Sequence, residues 1–158
     1  MGFAYGTAIS GPSGEVAIER LQRDDEVMAA SLDGGAAPFW TSSAVTFSQG
    51  SGPDGRAGMV YIDFVDLARL ICEQDQLFLI AEGRLVPAGR LHQGRSLLRP
   101  DGGERPIRSV SWGEYRGGIH GIATSGEYRG SPDGHLIAAG GVIAADFLLQ
   151  LHHRGDPD

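Results

Sequence analysis

Apolar and polar residues alternate in short runs along the whole sequence, and most of the runs stop at glycine. Thr7-Ala8-Ile9-Ser10, the turn Gly11-Pro12-Ser13-Gly14 and Glu15-Val16-Ala17-Ile18-Glu19 predict a β-hairpin, because period-two alternation around a Gly/Pro turn gives each strand one apolar face. Glu26 to Ser31 predicts a strand ended at Asp33-Gly34-Gly35, and Trp40 to Phe47 another. Residues 48–58, rich in Gly and Ser and without an apolar period, predict a mobile loop. Val60 to Val65 alternates cleanly. Ala68 to Ile71 and Leu77 to Ile80 have the length of buried strands, and Ala81-Glu82-Gly83-Arg84 turns the chain back into Leu85-Val86-Pro87. Pro87 to Leu91 predicts one helical turn. Two further hairpins are expected: Leu97-Leu98 with Arg105 to Trp112 around Asp101-Gly102-Gly103, and Ile119 to Thr124 with His135 to Ala139 across a glycine-rich bend. Val142 to Leu151 suits helix and strand equally. The expectation is one domain over residues 1–151, with residues 152–158 a frayed, disordered tail.

Composition narrows the class. The 25 glycines and 8 prolines among 158 residues follow no fixed period, so they read as tight turns and favour an all-β chain over a helical bundle. A formal charge of -7 provides no field for phosphates or anionic lipid, so neither a nucleic acid nor a membrane is an expected partner. All 13 basic residues are arginine, which removes lysine Schiff-base chemistry. With Cys72 alone, no intrachain disulfide and no cysteine-based zinc site can form, and a reducing, cytoplasmic setting fits. No apolar run reaches membrane-spanning length, and the first residues lack the basic region of a secretory signal. Gly2 suggests myristoylation, but that motif wants Ser or Thr where Gly6 stands.

Several motifs lose their chemistry in context. Gly50-Ser51-Gly52-Pro53-Asp54-Gly55 has dinucleotide-loop spacing, yet the strand pattern beginning at Met59 leaves no helix to receive a phosphate. Asp24-Asp25-Glu26 would point to alternate faces of a strand and reads as a solvated turn. His92, His152 and His153 show no metal-ligand spacing. His120 and His135 lie inside apolar strand patterns, which suit a core histidine and a catalytic one equally. Cys72 reads as a small buried hydrophobe, since Glu73 and Asp75 disfavour a thiolate. No cofactor and no metal is expected.

Four blocks in order resemble the Hint (Hedgehog/intein) domain family: Phe3 to Ser10 with Gly14 to Leu21, then Asp25 to Ala29, then Gln74 to Leu79 with Gly83 to Leu91, and finally Asp133 to Asp146. The match spans nearly the whole chain. The resemblance implies a horseshoe of long curved strands with pseudo-twofold symmetry. It also implies self-processing, in which an amino-terminal Cys or Ser attacks the preceding peptide carbonyl, a histidine protonates the leaving amide, and a terminal asparagine releases the downstream side. The implied partners are the flanking segments of the same precursor chain. Aligned on these blocks, the nucleophile position falls at Gly2 and the block histidine at Gln76, which cannot protonate an amide nitrogen near neutral pH. The terminal pair falls at Ala145 and Asp146, while His135 keeps the histidine of the penultimate block. The expected site is therefore Gly2, Asp75, Gln76, His135 and Asp146, on a domain that is inactive as written. The alternative is a non-catalytic β-rich module that holds a protein partner.

Overall fold

In the computed structural model, which describes residues 2–32, 37–124 and 126–157, the glycine-punctuated runs become antiparallel strands. They are β1 (Phe3–Ala4), β2 (Ala8–Gly11), β3 (Gly14–Ala17), β4 (Glu26–Ser31), β5 (Phe39–Gly50), β6 (Arg56–Phe64), β7 (Arg69–Cys72), β8 (Leu77–Leu79), β9 (Leu85–Pro87), β10 (Ser96–Leu98), β11 (Glu104–Arg116), β12 (Ile119–Thr124), β13 (Leu136–Ala139) and β14 (Val142–Ala145). One short helix, α1 (Phe147–His152), follows β14. The strands form one open sheet in the order β10-β11-β6-β7-β1-β12-β5-β4-β13-β14-β8-β9, with β2 and β3 branching from β13.

The hydrogen bonds repeat themselves. In the first half the Thr7 carbonyl accepts from Ile18 N–H, a 3-10 turn spans Ile18–Arg20, Asp24 donates to Val45 O, and Val45 donates to Asp25 O. In the second half the Gln76 carbonyl accepts from Ala88 N–H, a 3-10 turn spans Ala88–Arg90, Gly94 donates to Ile107 O, and Ile107 donates to Arg95 O. The β2–β3 unit thus matches β8–β9, and the β4–β5 hairpin matches β10–β11. The halves meet where Phe3 pairs with Cys72, their equivalent positions, and where β13 takes Ile9 while β14 takes Phe78. This is a pseudo-twofold arrangement. Its core lies at the junction, where Phe3, Phe64 and Phe78 are buried and the Phe3 and Phe78 rings meet edge to face at 6.0 Å. Each fully buried side chain of this size contributes roughly 1.5–3 kcal/mol. A second apolar cluster, with Leu77, Leu79 and Leu149, lies against α1.

Four expectations change. The segment predicted as a mobile loop, 48–58, is mostly strand: β5 continues to Gly50 against β12, and β6 starts at Arg56 against β11. Neighbouring backbones, not local apolar period, supply those bonds. The hairpin expected between Ile119–Thr124 and His135–Ala139 does not form; β12 pairs with β1 and β5, while β13 pairs with β14, β4 and β2. The run from Glu15 to Glu19 leaves the strand after Ala17 for the 3-10 turn. Finally, Val142 to Leu151 is both things in succession, a strand to Ala145 and a helix from Phe147, divided where the Asp146 side chain caps the helix. The hairpin of Leu97-Leu98 with the strand from Arg105, and the helical turn near residue 88, form as expected. The turn placed at Asp33-Gly34-Gly35 lies outside the described residues.

Candidate functional site

The start of β1 sits inside the molecule. Gly2 is buried, and its carbonyl accepts from Glu73 N–H at 3.0 Å. A Cβ built on Gly2 would lie 2.6 Å from the His120 carbonyl oxygen, a distance that a real side chain does not reach without moving β12. The position aligned with a nucleophile is therefore closed by backbone. Cys72, the one thiol of the sequence, pairs with Phe3 and is fully buried, and burial pushes its thiol far above the usual range.

Gln76 lies next to β8 at the junction of the halves. Its side chain is buried and donates from Nε2 to the Ala145 carbonyl at 2.9 Å and to the Leu77 carbonyl at 3.2 Å. The amide is a fixed clamp between β8 and β14. A second glutamine, unnoticed in the sequence, completes it: Gln150 in α1 accepts from Leu77 N–H at 2.6 Å and is 2% exposed. The available signal was a polar residue between Leu149 and Leu151, the second in the apolar run after Asp146.

Asp146 is the densest polar node. Its Oδ1 accepts from Leu149 N–H at 2.8 Å, which caps α1, and its Oδ2 accepts from Thr124 N–H at 2.9 Å and lies 3.0 Å from His135 Nδ1. The Thr124 hydroxyl lies 3.0 Å from that same oxygen and 2.8 Å from the Gly134 carbonyl. His135 Nε2 faces the Glu127 carbonyl at 3.4 Å. The hydrogen bond to Asp146 holds the His135 imidazole above its ordinary value, against the opposing effect of burial. A protonated ring can donate from both nitrogens, one to each of the two facing oxygens. Thr124, supplied by β12, is the partner that the sequence did not point to.

His120 resolves differently. The Ser48 hydroxyl donates to Leu21 O at 2.6 Å and lies 2.7 Å from His120 Nε2, so that nitrogen carries the proton. Nδ1 is buried with no partner, and burial holds the ring below the ordinary histidine value, with Glu19 opposing. This is a neutral core histidine packed edge-on to Tyr5. Asp75 is exposed in the turn before β8.

A groove of about 470 Å³ has a wall that includes Glu73, Ile119, His120 and Phe147, the last stacked on Phe47 at 4.6 Å. Gly2 touches that wall through Glu73 and His120, and Asp146 precedes Phe147. No group of His, Cys, Asp and Glu among the described residues is placed to hold a metal ion. No helix among them is long and apolar enough to cross a membrane.

The same backbone path occurs in solved structures. A bacterial intein-like domain from Clostridium thermocellum aligns with a TM-score of 0.75 at 18% identity, over 92% of this chain and 97% of that one. The chain has the intein fold. A DnaB intein from Synechocystis aligns with a TM-score of 0.73 at 16% identity, over 92% and 97%. The gp41-1 intein reaches 0.66 at 20% identity, over 92% and 98%. No family model matches the sequence, and no curated protein matches it. Within this fold the Gly2 carbonyl accepts from Glu73, Gln76 donates to the Ala145 carbonyl, and Thr124 of β12 donates to Asp146.

Proposed function

We propose that this intein-fold domain no longer rearranges its own backbone and acts as a protein-binding or assembly module for segments that flank it or for a separate protein. The reading rests foremost on Gly2, where a Cβ would stand 2.6 Å from the His120 carbonyl, so that even a restored cysteine has no place to attack from. Two further positions support it. Gln76 is committed to the Ala145 and Leu77 carbonyls, and both Asp146 oxygens are held by donors from β12, α1 and the residue that precedes β13. A carboxylate fixed this way is a structural node. It is not free to turn on its own backbone carbonyl as a releasing residue must. No cofactor or metal enters this reading, and the cytoplasm is its proposed compartment.

The test fuses a folded reporter upstream of Gly2→Cys, alone and with Gln76→His and Asp146→Asn added. The expected result is an intact precursor after prolonged incubation with hydroxylamine, with circular dichroism confirming the β fold. Hydroxylamine-dependent release of the reporter from any of these proteins would overturn the proposal and mark the domain as a silenced self-processing element.

A further inference from the structure

Strand β9 pairs with β8 on one side only, which leaves the Leu85 N–H and C=O pointing outward from an edge. Both are taken by a single residue of the segment after α1. Asp156 N–H donates to Leu85 O at 2.7 Å, and Leu85 N–H donates to Asp156 Oδ2 at 2.8 Å. Two arginines close over the same stretch: Arg90 donates to the Asp156 carbonyl at 3.0 Å and Arg84 to the Pro157 carbonyl at 2.7 Å. The residue before the aspartate is selected by shape. Gly155 has φ 111°, and a Cβ there would stand 2.7 Å from Arg90 Nη2 and 2.9 Å from Pro87 Cδ. Any side chain is refused. The outer Oδ1 of Asp156 faces His153 Nε2 at 3.1 Å. The segment expected to fray is thus read residue by residue by the strand edge beneath it.

We infer that the outer edge of β9 is a docking strip for an extended peptide bearing glycine followed by aspartate, and that residues 155–157 occupy it in cis. An added strand brings main-chain hydrogen bonds that any sequence can make; specificity comes from what flanks them. Here the flanks are a Cβ-free position against Pro87, a carboxylate receiver at Leu85 N–H, and two guanidinium groups that hold successive carbonyls. A partner segment of the same chemistry competes with the resident one, whose tether gives it the advantage of high effective concentration. The strip shares no residue with the contacts of Gly2 and Asp146, so the inference stands whether or not backbone chemistry survives there.

The experiment uses the full chain with Gly155→Val, and in parallel Asp156→Asn, which keeps the size of the side chain. The probe is a synthetic peptide with the sequence of residues 152–158. Displacement of the resident segment is expected to speed Leu85 amide exchange by at least about tenfold in both variants. The peptide is expected to bind both variants and slow that exchange again, to bind the unmodified chain much more weakly, and to fail when its glycine is replaced by valine. Unchanged Leu85 exchange in both variants would overturn the inference. So would opened chains that ignore the peptide, or equal binding of the valine peptide.

Discussion

The two halves of this domain make the same turn with different residues. Asp24 and Gly94 occupy equivalent positions, both left-handed at φ 77° and 89°, and each donates to the second strand of the hairpin that follows it. The second half uses the residue that tolerates this geometry without a Cβ penalty, while the first half uses one of the few side chains that visit it at modest cost. Thr7 and Gln76 are equivalent as well: the carbonyl of each receives the 3-10 turn of its half. Their side chains part company, since the Thr7 hydroxyl closes locally on Ala4 O and Gln76 reaches across to Ala145. Symmetry therefore accounts for the backbone, and the departures from symmetry mark where the site is built.

The largest effect is expected where no twofold mate shares the work. Asp146→Ala leaves the buried His135 ring, the Thr124 amide and the Leu149 amide without their acceptor, and should cost about 3 kcal/mol in urea unfolding, with loss of amide protection in α1. Next is the shared turn. Gly94→Val forces a β-branched residue into φ 89° and should lower stability by about 1.5 kcal/mol, measured from the thermal midpoint, whereas Asp24→Val should cost less because the first half already bears part of the penalty. Thr124→Val removes one hydroxyl between Asp146 and the Gly134 carbonyl at nearly constant volume, for an expected loss of about 1 kcal/mol.

Two histidines give smaller, opposed responses to pH. Because Asp146 raises the folded value of His135, its stabilisation is complete below the unfolded value of 6.5 and is lost as pH rises through the folded one. His120, lowered by burial, works the other way: its neutral ring is favoured at high pH, and stability is lost as pH falls below 6.5. Unfolding midpoints across about pH 5 to 9 should lose their high-pH decline in His135→Gln and their low-pH decline in His120→Val. The second variant also copies the mate, since Val60 faces Cys72 as His120 faces Phe3. A domain whose midpoint keeps both declines in these variants would show that the histidines are not its titrating groups. Smallest is a gain: Asp24→Gly makes the two turns alike and should raise stability by about 0.5 kcal/mol, the relief of strain being partly cancelled by the freer unfolded chain.

Much of this domain can be read without coordinates. Glycine placement and short alternating runs point to an all-β chain, and ordered blocks point to the intein fold although only Val16, Arg20 and Leu21 are repeated as Val86, Arg90 and Leu91 across the matched turns. The internal twofold is otherwise invisible, because it is carried by backbone N–H and C=O groups that every residue but proline provides in full. The absence of asparagine, and the presence of Gly2 and Gln76 where the resemblance implies a nucleophile and a histidine, are likewise matters of composition.

Tertiary structure decided what surrounds those positions. Pairing of β12 with β1 and β5, in place of the expected hairpin with β13, brings Thr124 to Asp146 and the His120 carbonyl against Gly2. The split of one apolar run at Asp146 sets α1, and with it Gln150, against β8. Strand partners are chosen by long-range burial and by which edges remain unpaired, quantities that a local pattern does not contain. The residue types were legible because chemistry belongs to side chains; their partners were not, because proximity belongs to the fold.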